Sequence, residues 1–157
     1  LEIMISKVWA MAVVVLVAAA LSLWVVVQGM LAVPIEGSVT LFLAGTVLHL
    51  FATTSMGIFL ATVARSMPQF GLLLMLVLLP LQILSGGMTP RESMPEIVQF
   101  LMEAAPTTHF VMLAQAILYR GAGIAIVWPQ FVALAVIGTA LFILSLARFR
   151  RTLGAMA

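Results

Sequence analysis

Four long apolar runs constrain the fold of this chain more than any other feature of its sequence. They extend over about residues 8–28, 39–64, 70–85 and 129–147. A helix of about 20 apolar residues crosses the hydrocarbon core of a bilayer. A helix also satisfies its own backbone hydrogen bonds, which lipid cannot do. The sequence therefore predicts an all-α fold, a polytopic membrane helical bundle with four transmembrane helices.

The composition supports a membrane protein and excludes several other classes. The chain is 64% hydrophobic and only 8% charged, whereas a soluble domain carries roughly 25% charged residues. The net charge of +2 rests on few side chains and gives no nucleic-acid-binding patch. There is no cysteine, and the two histidines lie far apart in the sequence, so we expect neither a disulfide nor a metal or other cofactor.

The second run contains a polar stripe with a spacing of four residues. Small residues at this spacing let two helices approach closely in lipid, so Gly45 and Gly57 are the predicted contact points. His49 and Thr53 lie between them and could pack between helices or line a path through the membrane. For His49 two interpretations stay open: a neutral imidazole hydrogen-bonded between helices, or a group that relays protons or contacts a substrate.

The chain breaks its apolar pattern over residues 82–120. The uninterrupted part of the third run is about 15 residues, or about 23 Å of helix, which is short of the ~30 Å hydrocarbon core. Gly86 and Gly87, which follow it, are therefore predicted to lie below the outer headgroups, where irregular backbone must be covered by protein or water.

Two short helices are predicted inside this break. For the first, both Thr89 and Ser93 fit a capping box, and its apolar face is expected to turn towards the bundle. The second begins at Thr107 or Thr108 and ends near Arg120. Both are too short to span a bilayer, so they are predicted to be re-entrant or interfacial helices within an outer segment, residues 86–124.

The basic residues are distributed unevenly over the two predicted faces. One face carries five of them and the other carries two, Arg91 and Arg120. The positive-inside rule then predicts that both termini are cytoplasmic and that residues 86–124 face outwards. The five basic residues of the first face are Lys7, Arg65, Arg148, Arg150 and Arg151.

The sequence contains no motif of an enzyme. It lacks a phosphate-binding P-loop, a Gly-rich dinucleotide loop and an H-E-x-x-H zinc motif. We therefore expect no catalytic residue in this chain.

The order of elements around the break resembles a known family. It consists of a span with a late proline, then Ser85-Gly86-Gly87, an amphipathic helix introduced by Met94-Pro95, the run Pro106-Thr107-Thr108-His109-Phe110, a second short helix and a last span. This order is similar to the carboxy-terminal half of ABC-2 type transporter permeases, and more narrowly to their bacterial multidrug-efflux-like branch.

The resemblance implies a function and partners. The four spans would correspond to the third to sixth spans of a six-span permease in the bacterial inner membrane. An ATP-binding cassette subunit or domain would drive export, and a second permease would complete a homo- or heterodimer within the lipid. Glu2 and Lys7 would lie on the cytoplasmic coupling side. The outer gate would be re-entrant and would include Gly86, Gly87, Pro90, Pro95 and Pro106.

Two other functions remain as alternatives. A proton-coupled secondary transporter would need a pair of ionisable groups inside the membrane, and only His49 is near mid-span. A non-transporting membrane scaffold or assembly protein would leave the short third span and its Gly-Gly ending without a reason.

Overall fold

The computed structural model describes residues 2–30 and 35–154, and within these ranges every regular element is helical. This confirms the all-α, polytopic bundle. The elements in order are α1 (Glu2–Leu21), which continues in π-helical turns (Ser22–Met30), α2 (Val39–Val63), α3 (Met67–Leu84), a 3₁₀ turn (Arg91–Ser93), α4 (Glu96–Met102), α5 (Pro106–Arg120) and α6 (Ile124–Gly154).

Three of these helices are long and apolar enough to cross a membrane: Val39–Val63, Met67–Leu84 and Ile124–Arg150. The short helices α4 and α5 meet at an angle of 92°, which is the geometry of a broken span or a re-entrant loop. The first predicted span lies in α1 and the π-helical turns. Its apolar stretch within the described part is the shorter segment Ala12–Val25, so this crossing stays a prediction.

Helices α2, α5 and α6 form the core. Four side chains with no exposed surface, Ala52 of α2, Leu113 and Ile117 of α5 and Leu134 of α6, lie in one cluster. Helices α2 and α6 run in the same direction, because Gly138 lies against Ala52 and Ser145 Oγ lies 3.4 Å from the Ser55 carbonyl oxygen.

Helix α3 lies at the edge of this core and has no buried residue. Local chemistry fixes its start, because the Ser66 hydroxyl accepts a hydrogen bond from the Gln69 N–H at 3.3 Å and Pro68 lies in the first turn. The first turn adds residues that the apolar run does not include, so α3 is 18 residues long. At 1.5 Å per residue it spans about 27 Å, which is longer than the predicted ~23 Å but still under the thickness of the hydrocarbon core.

Helix α6 begins at Ile124, earlier than the predicted start at Pro129. Ile126 and Val127 donate their N–H groups to the Gly123 carbonyl, which closes a first turn ahead of the proline. Pro129 is therefore inside the helix near its start, where the missing N–H removes a single helical hydrogen bond.

The loop before α2 is fixed to the end of α5. Glu36 donates its N–H to the Leu118 carbonyl at 3.2 Å, and Gly37 lies so close to Ile117 that a Cβ would overlap the Ile117 carbonyl. α5 ends at Gly121, which adopts a left-handed conformation (φ +62°) as a C-terminal glycine often does. We call this side of the bundle the Glu36 end.

Candidate functional site

Helix α5 enters the bundle to about half its depth. Phe110 near its start stacks on His49 of α2, with the ring centroids 4.3 Å apart, and Leu113 lies against Gly45. Since the other end of α5 contacts the Glu36 loop, α5 runs antiparallel to α2. His49 lies about 15 Å along the α2 axis from Val39 at 1.5 Å per residue. The corner between α4 and α5 is therefore near the middle of the bundle.

The connector, residues 86–95, joins α3 to α4. Gly86 has φ +92°, a conformation that favours glycine, and its carbonyl accepts a hydrogen bond from Gln115 Nε2 of α5 at 3.5 Å. At Gly87 a Cβ would lie 3.8 Å from its nearest neighbours, Ser85 Oγ and Val111 Cγ2, at ordinary contact distance. Of the two glycines, Gly86 is thus the one whose backbone conformation favours glycine.

The prolines of the predicted gate start its short elements. Pro90 and Pro95 directly precede the 3₁₀ turn and α4, and neither element has a side-chain cap. The predicted capping boxes are wrong, since the Ser93 hydroxyl instead donates to the Pro90 carbonyl at 2.7 Å. Pro106 is buried in the first turn of α5. The predicted start at Thr107 or Thr108 is therefore also wrong, because the fixed φ of proline suits the first helical position.

The apolar face of α4 points in a different direction from the predicted one. Met94, Met102 and Ala105 are buried, whereas Ile97 and Leu101 are 75% and 64% exposed. The short helix rests on its two flanking turns and on Met102, so the side of it that carries Ile97 and Leu101 faces away from the bundle.

A polar cluster links the connector, the end of α4 and α5. Arg91 Nη2 lies 3.4 Å from Glu103 Oε1, and Arg91 Nη1 donates to the sulfur of Met112 at 3.1 Å. His109 Nε2 lies 2.8 Å from the Glu103 carbonyl oxygen. Because a carbonyl only accepts, His109 carries the proton on Nε2 and donates it. No local pattern in the sequence indicates this cluster, because twelve residues separate Arg91 from Glu103.

The two glycines of the predicted stripe on α2 have different surroundings. A Cβ at Gly45 would lie 2.6 Å from Leu113 Cδ2, so this glycine does allow a close approach. At Gly57 no atom lies within 4 Å, and its predicted packing role within the described residues is wrong. Twelve residues at 3.6 per turn rotate Gly57 by about 120° from Gly45. The close contact further along α2 is supplied by Gly138 of α6, which lies against Phe51 and Ala52.

His49 is held by stacking. Its Nδ1 is buried without a hydrogen-bond partner in the part of the chain that the structure describes, so the expected bond at this atom is not found. Thr53 does not reach the ring, because its hydroxyl donates to the carbonyl of His49 at 2.9 Å. The parallel contact with Phe110 thus holds the imidazole.

We expect His49→Phe to keep the stability of the protein and His49→Ala to lower it. Phenylalanine keeps the stacking with Phe110 and removes a buried polar atom, which is close to neutral or favourable. Alanine loses the aromatic contact and leaves a cavity, at a cost of about 2–3 kcal/mol. Thermal unfolding of both variants in detergent measures the difference. Equal loss in both variants would mean that the imidazole nitrogen, and not the ring face, matters.

The predicted coupling residues lie outside the described side chains. Glu2 and Lys7 are in α1, but the positions of their side chains are not among those that the structure describes. Their place on the cytoplasmic coupling side stays a prediction.

An apolar groove lies away from the polar cluster. It has a volume of about 300 Å³ and is formed where the π-helical turns approach the start of α2. Its lining consists of Ala20, Leu21, Leu23, Trp24, Ile35 and Val39. With this lining the groove offers only apolar contact.

Comparison with known proteins decides the family. The profile of the family described as ABC-2 type transporter matches residues 1–119. The chain belongs to the ABC-2 type transporter family. The matched residues include α1 to α3, the connector, α4 and nearly all of α5, so the ABC-2 family likeness covers the candidate gate as well as α1 to α3.

Several curated relatives of this ABC-2 chain are named as permeases. The chain is 65% identical over 156 residues to "Inner membrane transport permease YhhJ" of Escherichia coli (strain K12) and of Shigella flexneri, which is 99% of this chain and 42% of each relative. It is 28% identical over 123 residues to "Probable multidrug ABC transporter permease YbhR" of Escherichia coli (strain K12), covering 76% of this chain and 32% of that protein. The chain thus spans about two fifths of the length of the relatives named YhhJ. No solved structure matches it.

Proposed function

We propose that this chain forms the translocation path of an inner-membrane ABC-2 exporter and that its re-entrant segment is the outer gate of that path. The carrying observation is the position of α5, which packs against both α2 and α6 and starts near mid-bundle beside His49. Backbone that turns at this depth must be covered by protein or must line a water-filled cavity. A segment of this kind is suited to closing a path.

The charges of the gate support an aqueous entrance from the Glu36 end. Met112, which contacts Arg91, lies beside Leu113 and therefore near Gly45 of α2, about 9 Å along the α2 axis from Val39. Glu103 is bonded to His109, at the still deeper level of His49. Ionised side chains at such depth face a cavity or a partner rather than lipid. A substrate leaving the membrane would pass along this polar surface.

The direction of transport follows from the orientation that we propose. The distribution of basic residues around α1, α2 and α6 supports a cytoplasmic position for both termini and a periplasmic position for the Glu36 end. The gate would then open outwards, away from the face where an ATP-binding partner can dock. This is the arrangement that an exporter requires.

The proposed partners of the path are an ATP-binding cassette subunit or domain and a second permease, which would complete a homo- or heterodimer. The cassette supplies the free energy, because this chain has no nucleotide-binding motif. The outward apolar faces of α3 and α4 lie in lipid or against the second permease. The relative YbhR, named as a multidrug permease, supports an amphipathic substrate class.

Efflux of a fluorescent amphipathic cation tests the function. Cells that produce the permease containing this chain and its cassette partner are loaded with ethidium, and efflux is followed by fluorescence. We expect efflux to stop when the partner cannot hydrolyse ATP and to continue when an uncoupler removes the proton gradient while ATP is maintained. Efflux that follows the proton gradient and ignores the ATPase would instead identify a secondary transporter.

A further inference from the structure

We propose that Glu103 is a positioning residue that joins the connector to α5, so that the connector, α4 and α5 move as one rigid unit. The inference rests on the proposed function only where it calls this unit a gate. The joint itself is a property of the fold. It uses two different parts of Glu103, the side chain towards the connector and the main chain towards α5.

The side chain of Glu103 holds the connector. Its Oε1 lies 3.4 Å from Arg91 Nη2, and the same guanidinium donates to Met112 on α5. Arg91 is 24% exposed and Glu103 is 60% exposed. An ion pair with this exposure makes a modest contribution, in keeping with the aqueous entrance proposed above. Arg91 thus contacts both helices of the bent pair.

The main chain of Glu103 holds the corner. The residue caps the end of α4, and its carbonyl accepts a hydrogen bond from His109 Nε2 at 2.8 Å. This bond crosses the 92° bend between α4 and α5. A separate bond, from Gln115 to the Gly86 carbonyl, attaches the far end of the connector to the same helix. The connector is therefore tied to α5 at two points along its length.

The contacts between α5 and the middle of α2 are of a different kind. They consist of the Phe110 stack on His49 and of Leu113 against Gly45, both of them apolar. Apolar surfaces slide or separate without leaving a polar group unpaired, whereas breaking the Glu103 bonds separates paired polar groups. The unit is therefore expected to pivot about the end of α5, which the Glu36 bond holds, and to shift against the middle of α2 while its own parts stay together.

The rate of disulfide formation between Gly87→Cys and Val111→Cys measures how firmly the connector is held against α5. This chain has no cysteine, and a Cβ at Gly87 would lie 3.8 Å from Val111 Cγ2 and 3.9 Å from Val111 Cγ1, so sulfur atoms placed at the two positions can meet. Membranes containing the permease with its partner are oxidised with copper phenanthroline, and loss of maleimide–polyethylene glycol labelling gives the rate. We expect rapid cross-linking in the otherwise native protein.

Charge variants on this background test Glu103. Glu103→Gln and Arg91→Gln should each slow cross-linking by about threefold, the size of one modest ion pair. Arg91→Glu combined with Glu103→Arg should restore the rate, because the pair is rebuilt with exchanged charges. Glu92→Gln is the matched control, since it removes a neighbouring exposed carboxylate from the same 3₁₀ turn and should leave the rate unchanged.

The proposal is overturned if the native background fails to cross-link, if Glu103→Gln and Arg91→Gln cross-link at the native rate, or if the exchanged pair does not restore it. Each variant is first checked for membrane insertion, and the two single variants report on the same bond from opposite sides. Ethidium efflux is measured separately. Absence of ATP-driven efflux would contradict the proposed function, while the cross-linking rates would still show whether Glu103 joins the connector to α5.

Discussion

Gly37→Ala is expected to destabilise the protein more than any other single methyl group added to a glycine of the described chain. The new Cβ would overlap the Ile117 carbonyl, and a backbone carbonyl cannot rotate away as the end of a side chain can. The loop would have to leave α5, which also breaks the bond from Glu36 to Leu118. Overpacking with a backbone shift costs about 2–3 kcal/mol, and the expected result is a large fall in the thermal midpoint in detergent.

Gly57→Ala is the matched control for this prediction. It adds the same methyl group at a glycine whose Cβ position has no atom of the described residues within 4 Å. Because alanine is favoured over glycine inside a helix by about 0.5–1 kcal/mol, the midpoint should stay or rise. Equal midpoints for the Gly37 and Gly57 variants would show that the loop does not press on α5.

Gly138→Val is expected to separate α2 from α6. A Cβ at Gly138 would lie 2.8 Å from Phe51 Cδ1 and 3.1 Å from the Cα of Ala52. The Phe51 ring has limited room to withdraw, since it packs against Phe142 with the centroids 6.0 Å apart. The expected loss is about 1–3 kcal/mol, seen as a lower thermal midpoint and a smaller monodisperse fraction after extraction.

Gly71→Val provides the comparison for this change. Gly71 lies on the peripheral helix α3, and no atom lies within 4 Å of the position of its Cβ. The same side chain should therefore be tolerated there. A protein that loses stability equally at both positions would contradict a tight seam between α2 and α6.

The sequence predicted the elements better than their packing. The helical class, the start of α3 at Ser66 and Pro68, and the end of α5 at Gly121 all follow from local chemistry that a sequence displays. Which face of a span meets protein does not, because lipid and protein interior are equally apolar. Helix α3 is as apolar as α2, yet α2 is central and α3 has no buried residue.

The close contacts of single glycines could not be predicted from the sequence either. The four-residue stripe pointed to Gly45 and Gly57, but only Gly45 meets a neighbour within the described chain. Gly37 and Gly138 make contacts as close as that one and belong to no stripe, one in a loop and the other within α6. Their importance depends on where Ile117 and Phe51 lie in three dimensions, which a local spacing does not contain.

The two short helices between α3 and α6 were predictable in position but not in their packing. A short third helix and a glycine pair indicated a re-entrant segment, and Gly86 has the left-handed backbone that this turn needs. The Glu103 joint and the outward face of α4 depend on the bend at Ala105 and Pro106. The angle of that bend is set by tertiary contacts such as His109 with the Glu103 carbonyl.

The central claim is that the segment between α3 and α6 enters and leaves the membrane on one face. Single cysteines at Ser93 and Gly123 test it in intact cells with a membrane-impermeant maleimide, with Ser38 and Ser66 as references for the two faces. We expect Ser93→Cys and Gly123→Cys to label from outside together with Ser38→Cys, and Ser66→Cys to label only after permeabilisation. Labelling of Ser93→Cys and Gly123→Cys from opposite faces would show that α4 and α5 cross the membrane as one bent span, and would contradict the re-entrant gate.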